Sequence, residues 1–329
     1  MIHTLMIAVI AAALAFDFFN GFHDSANAIA TVVITRTLRP GQAVILAGAA
    51  NFVGYFAFGV AVASTIGKGV VGVAYTTMPI LIAALLGAIL WNIITWLIGL
   101  PTSSSHALIG GLVGAALVSA GPQAVILSGL LKILVFIVVA PLLGWLGAVL
   151  FTNVVLLLSR KARPAKAIKV FKRLQLLSAA CYAVAHGTND AQKSMGIIAL
   201  ALLTGGVNSV FTLDRWVVFS CYSAMAVGTM LGGWRIVRTM GTRITKIRPL
   251  EGFCAETASA IVMFVTAHFG IPVSTTHVIA GSIMGVGTVE RASAVRWVTA
   301  RRIVWAWFLT IPFTAACSAL SYLFISLFI

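Results

Sequence analysis

Two short polar stretches interrupt otherwise apolar runs, and they are made of residue types that bind ions and move protons. In the first, Asn20 to Thr31 (NGFHDSANAIAT), His23, Asp24 and Asn27 stand close together. In the second, Ala185 to Gly196 (AHGTNDAQKSMG), His186, Asn189, Asp190, Gln192 and Lys193 crowd into eight positions. An Asp or Lys at the centre of an apolar helix costs roughly 2.5–3.5 kcal/mol on insertion scales. Such a cost is met in a site more often than on a lipid-facing stripe. In both stretches a glycine lies three positions before the aspartate and a polar residue three after it: Asn27 after Asp24, Lys193 after Asp190. The matched pattern reads as one site built twice.

Asp24 and Asp190 are acceptors, poorly suited to gripping a bare oxyanion. Beside an anion they make sense if a cation or proton travels with it. Asn27, Asn189 and backbone carbonyls opened at the glycines would complete a set of hard oxygen ligands. Lys193 has three possible roles: partner of Asp190, contact for the anion, or stand-in for a bound cation. His23 and His186 titrate nearer neutrality than other side chains and are candidates for a proton relay. Glu256, in CAETASA, is a third intramembrane carboxylate. The plainer reading of each acid is a neutral group hydrogen-bonded within the bundle. Asp17 has no matched partner and ranks below them. His3 and His268 have no supporting context.

A second pair of motifs repeats in the same way: GLPTSSSHALIGG from Gly99 and GIPVSTTHVIAGS from Gly270. Pro101 and Pro272 lack an N–H and suit the first turn of a helix. Ser103, Ser104 and Ser105, and Ser274, Thr275 and Thr276, then fall where free backbone N–H groups and the helix dipole favour an anion. Hydroxyls add donors without fixed charge, so a held anion can still leave. The alternative is that these residues cap or pack helices. For His106 and His277, orienting the loops is as reasonable a role as ligation.

The chain must place these groups inside a bilayer. Its 329 residues are 60% hydrophobic and 9% charged, with a mean hydropathy of +1.07, far from the roughly 25% charge of soluble domains. This is an all-α polytopic membrane protein. The first apolar run lacks a basic leader and holds Asp17, His23 and Asp24, so it is read as a segment that stays in the membrane. The net charge of +15 does not imply nucleic acid. Seven of the basic residues lie in 160–173, five in 235–248 and four in 291–302, the positive-inside signature of cytoplasmic loops. The four cysteines are scattered, with no disulfide or metal-ligand spacing, and no resident metal or cofactor is expected.

At about 20 residues per crossing, the first half offers segments near 3–35, 42–63, 78–99, 102–120 and 123–158. The second offers 174–203, 214–234, 249–269, 272–289 and 303–328. Segments one and five are too long for a straight crossing, and glycines sit in both polar stretches, so ten to twelve helices are expected, some broken or re-entrant. Putting the three basic loops on one side leaves both termini outside the cytoplasm and makes the second half (174–329) an inverted copy of the first (1–158), joined by a basic linker at 159–173. Secondary transporters commonly follow this plan, with a substrate site at the midplane. In this topology the Pro101 loop lies at the inner face and the Pro272 loop at the outer.

At these residues the chain resembles the inorganic phosphate transporter (Pit) family. The family's GANDVANA-like signature stands here as GFHDSANA (Gly21 to Ala28) and GTNDAQKS (Gly187 to Ser194), and the two Pro-x-Ser-x-x-His loops look like the family's paired loops. The resemblance covers nearly the whole chain. It implies an inverted-repeat, dimeric carrier of phosphate with a cation, with Asp24, Asn27 and Asp190 at the coupling and substrate site and the Ser/Thr loops contacting phosphate. His23 and the Gln192-Lys193 pair depart from the signature and resemble the bacterial low-affinity branch, which is similar to proton-coupled carriers of metal–phosphate in the plasma membrane. Glu256 matches a family glutamate whose first-half counterpart is read as Asn51. Fewer carboxylates and an added lysine favour protons over sodium.

The nearest rivals are a sodium-coupled phosphate symporter and a sulfate permease; sulfate has no proton to donate at neutral pH, which tilts a site rich in carboxylates toward phosphate. An ion channel would not tie cation to anion movement. An intramembrane hydrolase built on Ser103 and His106 is disfavoured, because the motif is duplicated and no Gly-x-Ser-x-Gly elbow occurs.

Overall fold

The computed structural model describes residues 2–57 and 61–328, and nearly all of them are helical. In a bilayer a helix satisfies its own backbone donors and acceptors, so long apolar runs have little choice. The first half contains α1 (Ile2–Ile34), α2 (Pro40–Ala57), α3 (Ala61–Gly69), α4 (Met78–Ile98), α5 (Ser104–Ala120) and α6 (Leu127–Ser159). The second contains α7 (Pro164–Thr204), α8 (Arg215–Leu231), α9 (Trp234–Arg238), α10 (Pro249–His268), α11 (Thr275–Glu290) and α12 (Trp297–Ser326). Proline opens α2, α7 and α10, where its missing N–H costs nothing. Gly99 at the end of α4 has φ 74°, and Gly270 just past α10 has φ 62°, the left-handed conformation that stops a helix.

Two expectations change. The polar stretches do not break their helices: α1 and α7 run unbroken through Asp24 and Asp190, so no backbone carbonyls open there. Gly21 and Gly187 serve close crossings instead. A Cβ on Gly21 would lie 2.2 Å from the Met225 carbonyl oxygen on α8, and one on Gly187 would lie 2.4 Å from that of Asn51 on α2. The bends come elsewhere, with 85° between α2 and α3 and 60° between α8 and the turn that follows. The expected segment at 42–63 includes residues 58–60, which lie outside the described residues. Secondly, residues 164–173 of the expected linker are the first turns of α7.

The packing of the two halves matches element for element. α1 packs on α8 as α7 packs on α2, α1 on α4 as α7 on α10, and α5 on α12 as α11 on α6. Small residues carry the last of these crossings. A Cβ on Gly110 or Gly114 would meet the backbone of α12 at Ile311 or Ala315, and one on Gly281 or Gly285 would meet α6 at Pro141 or Trp145. The elements α4–α5 and α10–α11 form hairpins whose open ends are tied by matched backbone bonds, Ile126 N–H to Val70 O (2.9 Å) and Arg296 N–H to Ile244 O (2.8 Å). The order of elements also corrects one pairing. Glu256 lies on α10, which corresponds to α4, so its positional match is Leu85, whereas Asn51 lies on α2.

Candidate functional site: two helix centres and two hairpin tips

The tips of the two hairpins, Gly99–Ser103 and Gly270–Ser274, bury their hydroxyl residues in the middle of the bundle. Ser103, Ser104, Ser105, Ser274, Thr275 and Thr276 are each at most 2% exposed. The tips meet, with the rings of His106 and His277 4.8 Å apart. They are therefore not at opposite faces, as counting crossings suggested.

Asp24 and Asp190 come together at this point. His186 Nε2 stands 3.4 Å from Asp190 Oδ2 and 3.9 Å from Asp24 Oδ2, so one imidazole bridges the two carboxylates. His23 Nδ1 contacts Asp24 Oδ1 at 2.7 Å, and Lys193 Nζ contacts Asp190 Oδ1 at 2.9 Å. Helical periodicity makes this cluster: His186, Asp190 and Lys193 are spaced four and three apart on one face of α7.

The hydroxyls divide by role. Ser103 and Ser274 are caps, each accepting the N–H of its histidine, His106 or His277, at 3.2 Å. The following residues face the charges. Ser104 Oγ lies 3.5 Å from Asp24 Oδ2 and accepts from Lys193 Nζ at 3.0 Å. Thr275 Oγ1 donates to Asp190 at 3.4 Å. Thr276 Oγ1 lies 3.5 Å from Asp24 and accepts from Asn27 Nδ2 at 2.8 Å. Ser105 Oγ is buried and makes no hydrogen bond among the described residues. The capping reading thus holds at Ser103 and Ser274, and Ser104, Thr275 and Thr276 are turned toward the carboxylate cluster instead.

Two expected site residues stand apart. Asn189 donates to the backbone of Ala185 (2.9 Å) and of Met263 (3.3 Å), tying α7 to α10. Glu256 accepts from Thr31, Ser178 and Gln175. Thr31 is two turns of α1 beyond Asp24, or about 10 Å at 1.5 Å per residue, so Glu256 forms its own polar node. Asp17 lies two turns the other way, where Ser194 Oγ donates to it at 2.7 Å.

Several site residues carry little or no signal in the sequence. Asn20 Nδ2 donates to Asp190 at 3.4 Å; its place one turn before Asp24 could have revealed it. Thr95 Oγ1 contacts His23 Nε2 at 3.1 Å, and Asn51 Oδ1 contacts His186 Nδ1 at 3.3 Å, both from apolar runs. Trp307 on α12 stacks on His277 at 3.9 Å and donates to the Pro101 carbonyl at 3.1 Å, bracing both tips.

Chemically, the site offers hydroxyl donors from two directions, two acceptors, one ammonium and two imidazoles, all shielded from solvent. One coordinating atom each from Asp24, His186 and Asp190 lies within 4.8 Å of the others, a spacing that a cation can bridge.

Residues 20–318 match the family model described as the phosphate transporter family. The chain belongs to that family. A protein of Rhizobium meliloti (strain 1021) named "Probable low-affinity inorganic phosphate transporter" is 50% identical over 97% of this chain and 96% of its own length. A protein of the same name from Bacillus subtilis (strain 168) is 44% identical over 98% of both. Among solved structures, the one titled "The sodium-dependent phosphate transporter" superposes with a TM-score of 0.90 over 99% of this chain, at 24% identity. That match shares the fold. This chain is a multi-pass membrane protein with the helical architecture of that family.

Proposed function

We propose that the protein imports inorganic phosphate across the bacterial plasma membrane as a proton-driven symporter, taking phosphate as a neutral complex with a divalent metal. The observation that carries this reading is the convergence of Ser104, Thr275 and Thr276 on the Asp24–His186–Asp190 cluster. Hydroxyls from both hairpins would hold the phosphate oxygens. Two buried carboxylates against one ammonium disfavour a lone anion, so positive charge must enter with it. A divalent ion between Asp24, His186 and Asp190 would supply that charge, and His23 is placed to take or pass a proton. A carboxylate that accepts the proton of hydrogen phosphate would reject sulfate, which has none at neutral pH.

In this reading the halves 1–158 and 174–329 are inverted repeats and the working unit is a homodimer. The hairpins are re-entrant, α4–α5 from outside and α10–α11 from the cytoplasm. The remaining long elements cross, the basic segments all lie in the cytoplasm, and both termini lie outside. Alternating access would rock one repeat against the other around the site.

The test is uptake of phosphate into proteoliposomes under a pH gradient alone and under a sodium gradient alone, with magnesium present or chelated and sulfate in excess. The proposal expects uptake driven by the pH gradient, dependent on magnesium and indifferent to sulfate. Uptake that requires sodium overturns the coupling, and competition by sulfate overturns the selectivity.

A further inference from the structure

Few acidic residues of the chain are placed to balance its surface cations. Asp17, Asp24, Asp190 and Glu256 are buried in the bundle. Glu251 accepts the Arg248 N–H at 3.0 Å, Glu290 pairs with Arg248 at 3.5 Å, and Asp214 precedes α8 with Asn208 on its carboxylate. The chain has 22 lysines and arginines against these seven acids. Anions for most of its exposed basic residues must therefore come from elsewhere.

Arg301 is the exposed cation whose surroundings say most about that anion. It stands in the second turn of α12 and lines a groove of about 660 Å³ between α6, α11 and α12. Apart from Arg301 the lining is apolar, with Val138, Leu142, Met284, Val304 and Phe308 along the walls. Trp145 and Trp297 flank it, and their indole N–H groups are already used, by Thr288 Oγ1 (3.1 Å) and the Ala292 carbonyl (2.9 Å). The rings therefore present apolar faces to the groove. From Trp297 to Phe308 the groove follows α12 for about 16 Å at 1.5 Å per residue, the depth of one leaflet of a hydrocarbon core of about 30 Å. Its floor is Trp307, the residue that stacks on His277 and bonds the Pro101 carbonyl.

We propose that this groove holds an anionic phospholipid, its phosphate on Arg301 and an acyl chain along the walls down to Trp307. A second copy of the chain fits poorly, because with 22 basic residues against seven acids it would bring far more cation than carboxylate to the same groove. The lipid would press on the indole that braces both hairpin tips, so its occupancy would set how firmly the tips are seated. This site is separate from the phosphate site and does not rest on the transport reading.

The test is native mass spectrometry of the purified protein with phosphatidylglycerol and, separately, phosphatidylcholine, on wild type, Arg301→Gln and Met284→Trp. Thermal melting in mixed micelles of the same lipids is the second readout. The proposal expects retained phosphatidylglycerol and a higher melting temperature with it, both at least several-fold weaker in Arg301→Gln. Met284→Trp, which fills the groove, should lose the lipid adducts while melting no lower than wild type without phosphatidylglycerol. Equal retention of both lipids, or Arg301→Gln binding as wild type does, overturns it. So does efficient disulfide cross-linking between copies carrying Val138→Cys, which would make the groove a protein interface.

Discussion

The Asp190–Lys193 pair gives the sharpest test of how the site is balanced. Both side chains are buried, at 0% and 1% exposure, and their charged atoms stand 2.9 Å apart. Removing one partner of a buried pair typically costs 3–5 kcal/mol, because the other is left as an uncompensated charge. In Lys193→Met, Asp190 keeps His186, Asn20 and Thr275 as neighbours, so the low end applies, about 3 kcal/mol. At about 1.4 kcal/mol per tenfold, that is roughly a hundredfold in the folding equilibrium. Adding Asp190→Asn removes the stranded charge, and the double variant should recover more than half of the loss. It should not recover transport, since Lys193 also donates to Ser104 at the hairpin tip. Thermal melting of the two single variants and the double in one detergent, alongside phosphate uptake by each, measures both effects. If Lys193→Met melts like wild type, or the double variant melts no higher than the weaker single one, the pair does not hold this balance and the reasoning fails.

Three further outcomes are expected. Gly114→Ala places a Cβ 2.0 Å from the Ala315 carbonyl oxygen and should destabilise by about 1–3 kcal/mol or more, whereas Gly147→Ala, whose nearest neighbour is 3.7 Å away, should melt like wild type. Thr276→Val loses the contacts to Asn27 and Asp24 and should weaken phosphate binding about tenfold, on the order of 1–1.5 kcal/mol, without unfolding the protein; titration calorimetry reads this directly. Glu256→Gln keeps the volume and most hydrogen bonds of the Thr31–Ser178–Gln175 node, so it should stay folded and keep phosphate exchange while losing concentrative uptake. Equal concentrative uptake would remove Glu256 from coupling.

Much of this was legible in the sequence, for identifiable reasons. Apolar runs longer than a bilayer is thick located the helices, and charges inside them located Asp24, Asp190 and Lys193. Duplication marked both hairpin motifs. What stayed hidden depends on depth and contact. Hydropathy does not distinguish a crossing from a hairpin that turns back inside the protein, so it places the Pro101 and Pro272 loops on opposite faces although the rings of His106 and His277 lie 4.8 Å apart. Glycine within a polar stretch reads equally as a helix break or as a close crossing, and the carbonyls of Met225 and Asn51 against Gly21 and Gly187 decide for the crossing. Thr95 and Trp307 sit in unremarkable apolar runs and join the site only through tertiary packing. The resemblance to the family pairs Glu256 with Asn51, whereas the order of helices pairs it with Leu85.

The most direct measurement of the central claim is equilibrium binding of radiolabelled phosphate to the purified protein carrying Ser104→Ala, Thr275→Val, or both. These residues come from different hairpins and contact different members of the carboxylate cluster. One shared site predicts that each change weakens binding and that the pair abolishes it, with sulfate failing to compete in wild type. Binding that is lost with one change and untouched by the other would contradict it, because phosphate would then be held by one hairpin alone.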